Sequence, residues 1–113
     1  SGGNADMEER IRDELSVIQE IIVNTVPVKR MFLFGSDAYG TPDAESDLDI
    51  YVVLADDADI REIDAMRLIR RSIRDKKTMP IDVVVGKENE FNRRISAPTI
   101  ERQIVQEGVV LSG

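Results

Sequence analysis

Apolar positions along the chain fall into two periods, and the switches between them mark out the elements. Over residues 7–25, Ile11, Leu15, Ile18 and Ile22 recur at the spacing of one helical face. Glu8, Glu9, Arg12, Asp13 and Glu20 lie mostly elsewhere, so the pattern predicts an amphipathic helix, with Asp6 as its cap and Pro27 as its stop. Val28 to Phe34 then reads as a strand. It is apolar on both faces from Met31 onward, as expected of a central strand covered on both sides. Gly35-Ser36-Asp37-Ala38-Tyr39-Gly40 fits a single turn closed by Gly40, and Thr41-Pro42-Asp43 is turn chemistry. Asp47 to Leu54 is the second strand. Its alternation sets Asp47, Asp49, Tyr51 and Val53 on one face and Leu48, Ile50, Val52 and Leu54 on the other.

Residues 59–77 predict a second long helix, with Ile60, Ile63, Met66, Ile69 and Ile73 as its buried face. Asp59 and Glu62 stand at capping-box spacing, and the Arg-rich opposite side reads as solvated. Pro80 to Val85 is a third strand ending at Gly86, with Asp82 and Val84 on one face and Ile81, Val83 and Val85 on the other. A last helix is expected from about Thr99 to Glu107, ended by Gly108 and followed by extended Val109-Val110-Leu111. The sum is an α/β or α+β fold, a small mixed sheet flanked by helices. Ser1-Gly2-Gly3 looks like a cloning remnant. Residues 1–6 are set aside as a remnant and unstructured start, and residues 7–113 are read as one domain.

Composition narrows the chemistry. The 113 residues contain no cysteine and no histidine, which removes disulfide frameworks, thiolate zinc sites and Ser-His or Cys-His nucleophiles. Acid–base and metal chemistry must come from carboxylates, which favour hard ions such as magnesium or manganese. The net charge of −7 argues against direct nucleic-acid binding, which needs a cationic surface. No apolar run suits a membrane span and no signal peptide is visible, so a cytoplasmic location is expected.

One constellation stands out. Asp47 and Asp49, two apart on a strand, point the same way with Cα atoms roughly 6.5–7 Å apart, a reach that suits two metal ions about 3.5–4 Å apart. Without a cation, two such charges at 4 Å would repel by about 4 kcal/mol at an effective dielectric of 20. Asp82 opens another apolar strand that could lie alongside. Gly35 lets a backbone approach a phosphate, and Ser36 adds a hydroxyl at the mouth of a turn whose N–H groups favour anions. Taken singly, each part has a plain structural explanation: a turn, an acidic loop, a solvated strand end. The stretch from Asp43 to Leu54 is not an EF-hand, for it lacks the central Gly and the final Glu. Only the coincidence of all the parts speaks for a metal-bound polyphosphate.

Gly35-Ser36, ten residues, Asp47-x-Asp49 and a later strand bearing Asp82 resemble the minimal nucleotidyltransferases of the DNA polymerase beta superfamily. The nearest likeness is to the small MNT proteins, which are commonly paired as antitoxins with HEPN-domain partners. It runs from about Val28 through the closing Glu107-Gly108-Val109-Val110-Leu111.

The resemblance implies that Gly35 and Ser36 hold the outer phosphates of an NTP, foremost ATP. Asp47 and Asp49 would ligate Mg2+ (or Mn2+), and Asp82 would be a third ligand near the attacking hydroxyl. The implied reaction is transfer of a nucleoside monophosphate, AMP above all, to a protein or other hydroxyl acceptor with release of pyrophosphate. A HEPN-type protein partner or a homodimer is expected, because so small a core has no second domain to enclose a nucleotide. The rival reading is a non-catalytic interaction module that works by contact with such a partner. One departure weighs on the first reading: many relatives carry Arg where this chain has Asp37. Lys29, Arg30, Lys87, Arg93 and Arg94 are candidates for the missing positive charge, and Tyr39 is read as support for the turn.

Overall fold

The computed structural model describes residues 2–34 and 48–112. Among them the order is α1 (Gly2–Thr25), β1 (Val28–Phe34), β2 (Leu48–Leu54), α2 (Glu62–Ile73), β3 (Ile81–Lys87), α3 (Glu88–Arg94), α4 (Ile100–Glu107) and β4 (Val109–Ser112). The four strands form one mixed sheet in the order β3-β2-β1-β4. β1 pairs antiparallel with β2 and with β4, whereas β2 and β3 run parallel. A parallel neighbour needs a long return connection, and the segment carrying α2 supplies it.

Alternation along the strands divides the core in two, as the sequence predicts. Leu48, Ile50, Val52 and Leu54 of β2 join Met31, Leu33, Ile81 and Val83 beneath α1 and α2. Tyr51 and Val53 point to the other side and meet Phe32, Phe91 and Ile104 beneath α3 and α4. β1 is therefore a central strand with apolar cover on both faces. Leu15, Ile18 and Ile22 are the buried stripe of α1, with Ile11 packed at its margin. Glu14 fastens α1 to the turn before β3, its Oε1 accepting from the Thr78 N–H (2.7 Å) and hydroxyl (2.6 Å).

Several boundaries differ from the sequence reading. α1 begins at Gly2, so Asp6 lies inside the helix and does not cap it. α2 covers only Glu62–Ile73: Arg61 is its N-cap and makes no side-chain capping bond, so the Asp59/Glu62 capping box does not form. Its buried face is Ala65, Ile69 and Ile73, while Ile63 is exposed. β3 continues through Gly86 to Lys87. α3 was not foreseen, since seven residues with only Phe91 buried carry no readable period.

α4 starts as predicted, with the Thr99 hydroxyl accepting from the Arg102 N–H. Gly108 ends it for want of room rather than for an unusual φ. A Cβ there would stand 2.6 Å from the Ile104 carbonyl oxygen and 3.1 Å from that of Leu33, both backbone atoms that cannot swing aside.

Candidate functional site

The topology gathers the acidic strand starts at one end of the sheet. Asp49 is the second residue of β2 and Asp82 the second of β3. Because these strands are parallel and in register, Asp49 faces Asp82 directly across the pair. Paired residues on neighbouring strands share a face, so the two carboxylates stand side by side at a strand spacing of about 4.8 Å. Phe34, the last residue of β1, pairs with Asp49 from the other side. The chain thus leaves β1 beside the same carboxylate.

Of the residues predicted for the site, Asp49 and Asp82 are brought together. Gly35, Ser36 and Asp47 lie outside the described residues, as do Asp37 and Tyr39. Among the described residues no group of three or more acids, histidines or cysteines converges. The donor set nevertheless fits magnesium: it consists of carboxylate oxygens, hard ligands on rigid strands, aligned in register.

Asp82 has a cationic neighbour that sequence reasoning missed. The Arg70 guanidinium reaches from α2 to the β3 edge and donates from Nη2 to Asp82 Oδ1 at 2.8 Å. The same oxygen accepts from the Val83 N–H at 3.0 Å. Both side chains are about half exposed, so the pair is screened by water. In the sequence Arg70 belongs to the helix side read as solvated, and nothing there marks it as adjacent to an edge strand.

The other cations take different places. Arg30 lies over the rings of Phe32 and Phe91, 5.0 and 5.7 Å from their centroids. Lys87 Nζ donates to the Ala58 carbonyl at 3.3 Å. Arg93 and Arg94 both pair with Glu90, which holds that carboxyl below the ordinary glutamate range, chiefly through the Arg93 hydrogen bond.

One register step beyond Asp49 and Asp82 come Tyr51 and Val84, themselves a facing pair. The Tyr51 hydroxyl donates to Glu101 Oε2 at 3.0 Å, joining β2 to α4. Burial, and then the bond to Glu101, push the phenol well above its ordinary pKa, so it remains a protonated donor. Its ring packs tilted against Phe91 at 5.2 Å, and the hydroxyl end lies over Gly86. A cleft of about 550 Å³ opens here, with Tyr51, Val84, Lys87, Arg94 and Glu101 in its wall and Asp56, Glu62 and Glu90 also lining it.

A parallel β2/β3 pair thus carries acids at matched positions, and an antiparallel β1 ends beside them at Phe34. Residues 16–113 match the family described as polymerase beta, nucleotidyltransferase. The chain belongs to that family. Its fold is similar to the crystal structure of a provisionally named nucleotidyltransferase from Sulfolobus solfataricus, with a TM-score of 0.62. The match covers 92% of this chain and 83% of that one at 23% identity, a likeness of fold. Comparison with curated proteins finds no match. Among the described residues, no helix is long and apolar enough to cross a membrane.

Proposed function

We propose that this nucleotidyltransferase-family protein moves a nucleoside monophosphate, AMP in the first instance, from an NTP to a hydroxyl acceptor. One observation carries the reading: Asp49 and Asp82 face each other in register on neighbouring parallel strands. Asp49 and Asp82, with Asp47, would hold magnesium, whose charge offsets that of the polyphosphate. Gly35 and Ser36 follow Phe34, so the outer phosphates would enter from the β1 side, where the strand ends beside Asp49. The acceptor would then approach from the β3 side.

In the reaction the acceptor oxygen attacks the α-phosphorus in line. Its new O–P bond forms as the bond to the bridging oxygen breaks, and pyrophosphate leaves with that electron pair. The hydroxyl proton passes to a carboxylate oxygen of Asp82. Arg70 donates to Oδ1 of that group.

The test is calorimetric titration of the protein with each NTP in the presence and absence of magnesium, with Asp49→Asn as control. Magnesium-dependent ATP binding that disappears in Asp49→Asn is expected. Binding that is indifferent to both magnesium and the substitution would sink the proposal.

A further inference from the structure

One helix carries the charge opposite to that of the molecule as a whole. The net charge is −7, yet from Met66 to Arg74 the chain has four arginines and no acid. Arg67, Arg70, Arg71 and Arg74 stand at i, i+3, i+4 and i+7, with Arg74, the C-cap of α2, still helical in its backbone angles. They therefore form one stripe about 10.5 Å long, on the side away from the buried Ala65, Ile69 and Ile73. All four are exposed. The helix dipole accounts for bases in the last turn, Arg70 and Arg71, but not for Arg67 in the middle. Internal pairing does not use the stripe up either. Asp64 is bonded to Arg61 at 2.8 Å and Asp82 to Arg70, and among the described residues Arg71 and Arg74 have no ion-pair partner. Ile63 and Leu68, 42% and 40% exposed, add apolar surface beside the arginines. Arginine with apolar neighbours is the make-up of a protein interface.

We propose that this face of α2 docks an acidic segment of a protein partner, and that docking draws Arg70 off Asp82. This rests on the nucleotidyl-transfer reading, to which it adds a partner and a control. A nucleic-acid strand suits the face less well. Single strands are held by aromatic platforms as well as by charge, and α2 has no aromatic residue. Glu62 and Asp64 before the stripe and Asp75 after it would also meet a long phosphate chain with carboxylates at both ends.

Arg70 belongs to the stripe and to the site at once. Its Nη2 donates to Asp82 Oδ1 at 2.8 Å and reaches the Val83 carbonyl at 3.5 Å. Both members of the ion pair are about half exposed, so the guanidinium is open to exchange. A carboxylate seated between Arg70 and Arg74, one turn apart, takes donors from two guanidinium forks, which outbids a contact through a single oxygen. Asp82 Oδ1 then keeps the Val83 N–H, and a magnesium ion arriving there has no guanidinium to displace. Acidic partner and metal thus strengthen each other's binding by the same factor.

The experiment is an amide-resolved NMR titration of the full chain, without metal, with hexaglutamate and separately with a uridine hexanucleotide. Hexaglutamate should give saturable shifts along α2, with a further response at Asp82 and Val83, and the oligonucleotide at the same concentrations should not. Replacing Arg71 and Arg74 together by alanine should weaken the binding roughly five- to tenfold. Asp82→Asn releases Arg70 and should strengthen it, by up to about fivefold. That gain should vanish in the Arg70→Ala background, whereas a mere change of net charge would leave it in place. Arginines that serve only the helix dipole predict none of these changes.

An equal response to the oligonucleotide, shifts centred away from α2, or an Asp82→Asn gain that survives Arg70→Ala would overturn the proposal. A magnesium-ATP titration of the same wild-type sample separates the two readings. Docking and release of Arg70 without nucleotide binding remove the transfer reaction and leave the docking face. Nucleotide binding without docking removes the docking face alone.

Discussion

Gly86→Ala is the sharpest perturbation of the layer that carries the Tyr51–Glu101 bond. Gly86 lies on β3 opposite Val53, and the Tyr51 side chain crosses above it. A Cβ added there would collide with the Tyr51 hydroxyl oxygen, and would stand 3.3 Å from Cζ and 3.4 Å from Cε1. The phenol must therefore tilt away, and its 3.0 Å bond to Glu101 breaks. A hydrogen bond to a charged group contributes about 1.5–3 kcal/mol. Overpacking adds about 1–3 kcal/mol. The stiffer unfolded chain returns about 0.4–1 kcal/mol. These are partly alternative routes to the same relief, so a net loss of about 2–4 kcal/mol is expected.

The decisive comparison is a double-mutant cycle with Tyr51→Phe. Removing the hydroxyl costs about 1.5–3 kcal/mol by itself, since the buried Glu101 carboxylate then loses the hydrogen bond it accepts from Tyr51. In that background the new methyl meets only ring carbons at ordinary or slightly tight separations, so Gly86→Ala should cost under about 1 kcal/mol. The coupling should therefore exceed about 1 kcal/mol, above the scatter of about 0.3–0.5 kcal/mol for independent sites. Urea unfolding of the four proteins measures it. With a slope of about 2 kcal/mol/M, the Gly86→Ala midpoint should fall by roughly 1–2 M. Additive losses would refute the claim that Gly86 is there to admit the Tyr51 hydroxyl.

Two further substitutions probe the elements that position the site. Thr99→Ala removes the hydroxyl that accepts from the Arg102 N–H (3.3 Å) and donates to the Arg94 carbonyl at 2.6 Å, and should cost about 1 kcal/mol in thermal or urea unfolding. Arg70→Ala frees Asp82 of a half-exposed ion pair of the kind that contributes about 0.2–1 kcal/mol. Magnesium affinity by calorimetry should then rise, by up to about fivefold. A weakened affinity would show instead that the guanidinium orients the carboxylate for the metal.

Much of the fold was legible because the strands obey strict alternation. The same period that separates Asp49 and Tyr51 from Ile50 and Val52 separates the two cores of the molecule. Legibility failed where structure depends on what lies across the sheet. Gly86 reads as a strand terminator because glycine usually punctuates; its actual reason is a tyrosine from the neighbouring strand. α3 has a single buried residue, Phe91, whose partners Phe32 and Tyr51 are far away in sequence. Glu101 carries no local signal of burial, and only the cross-sheet phenol reveals it as buried. Arg70 was lost for a related reason, since no local pattern tells which helix side overhangs an edge strand.

The parallel pairing of β2 with β3 explains why a site can form at this end at all. Had β3 returned by a tight hairpin, it would run antiparallel, and its first residues would lie at the far end of β2, away from Asp49. The long connection through α2 reverses that outcome and brings both strand starts to one end, in register. β1, being antiparallel to β2, ends where β2 begins, so Phe34 arrives opposite Asp49. Three strand termini are thereby collected at one end, and Asp49 and Asp82 are both carried there by strands. The same connection has a second consequence. It leaves β3 at the sheet edge with α2 close by, and it is this geometry that lets Arg70 reach round to Asp82. Acid pairing and its counter-ion are thus two results of one topological choice, and a change that displaced α2 would be felt at Asp82 before it was felt at Asp49.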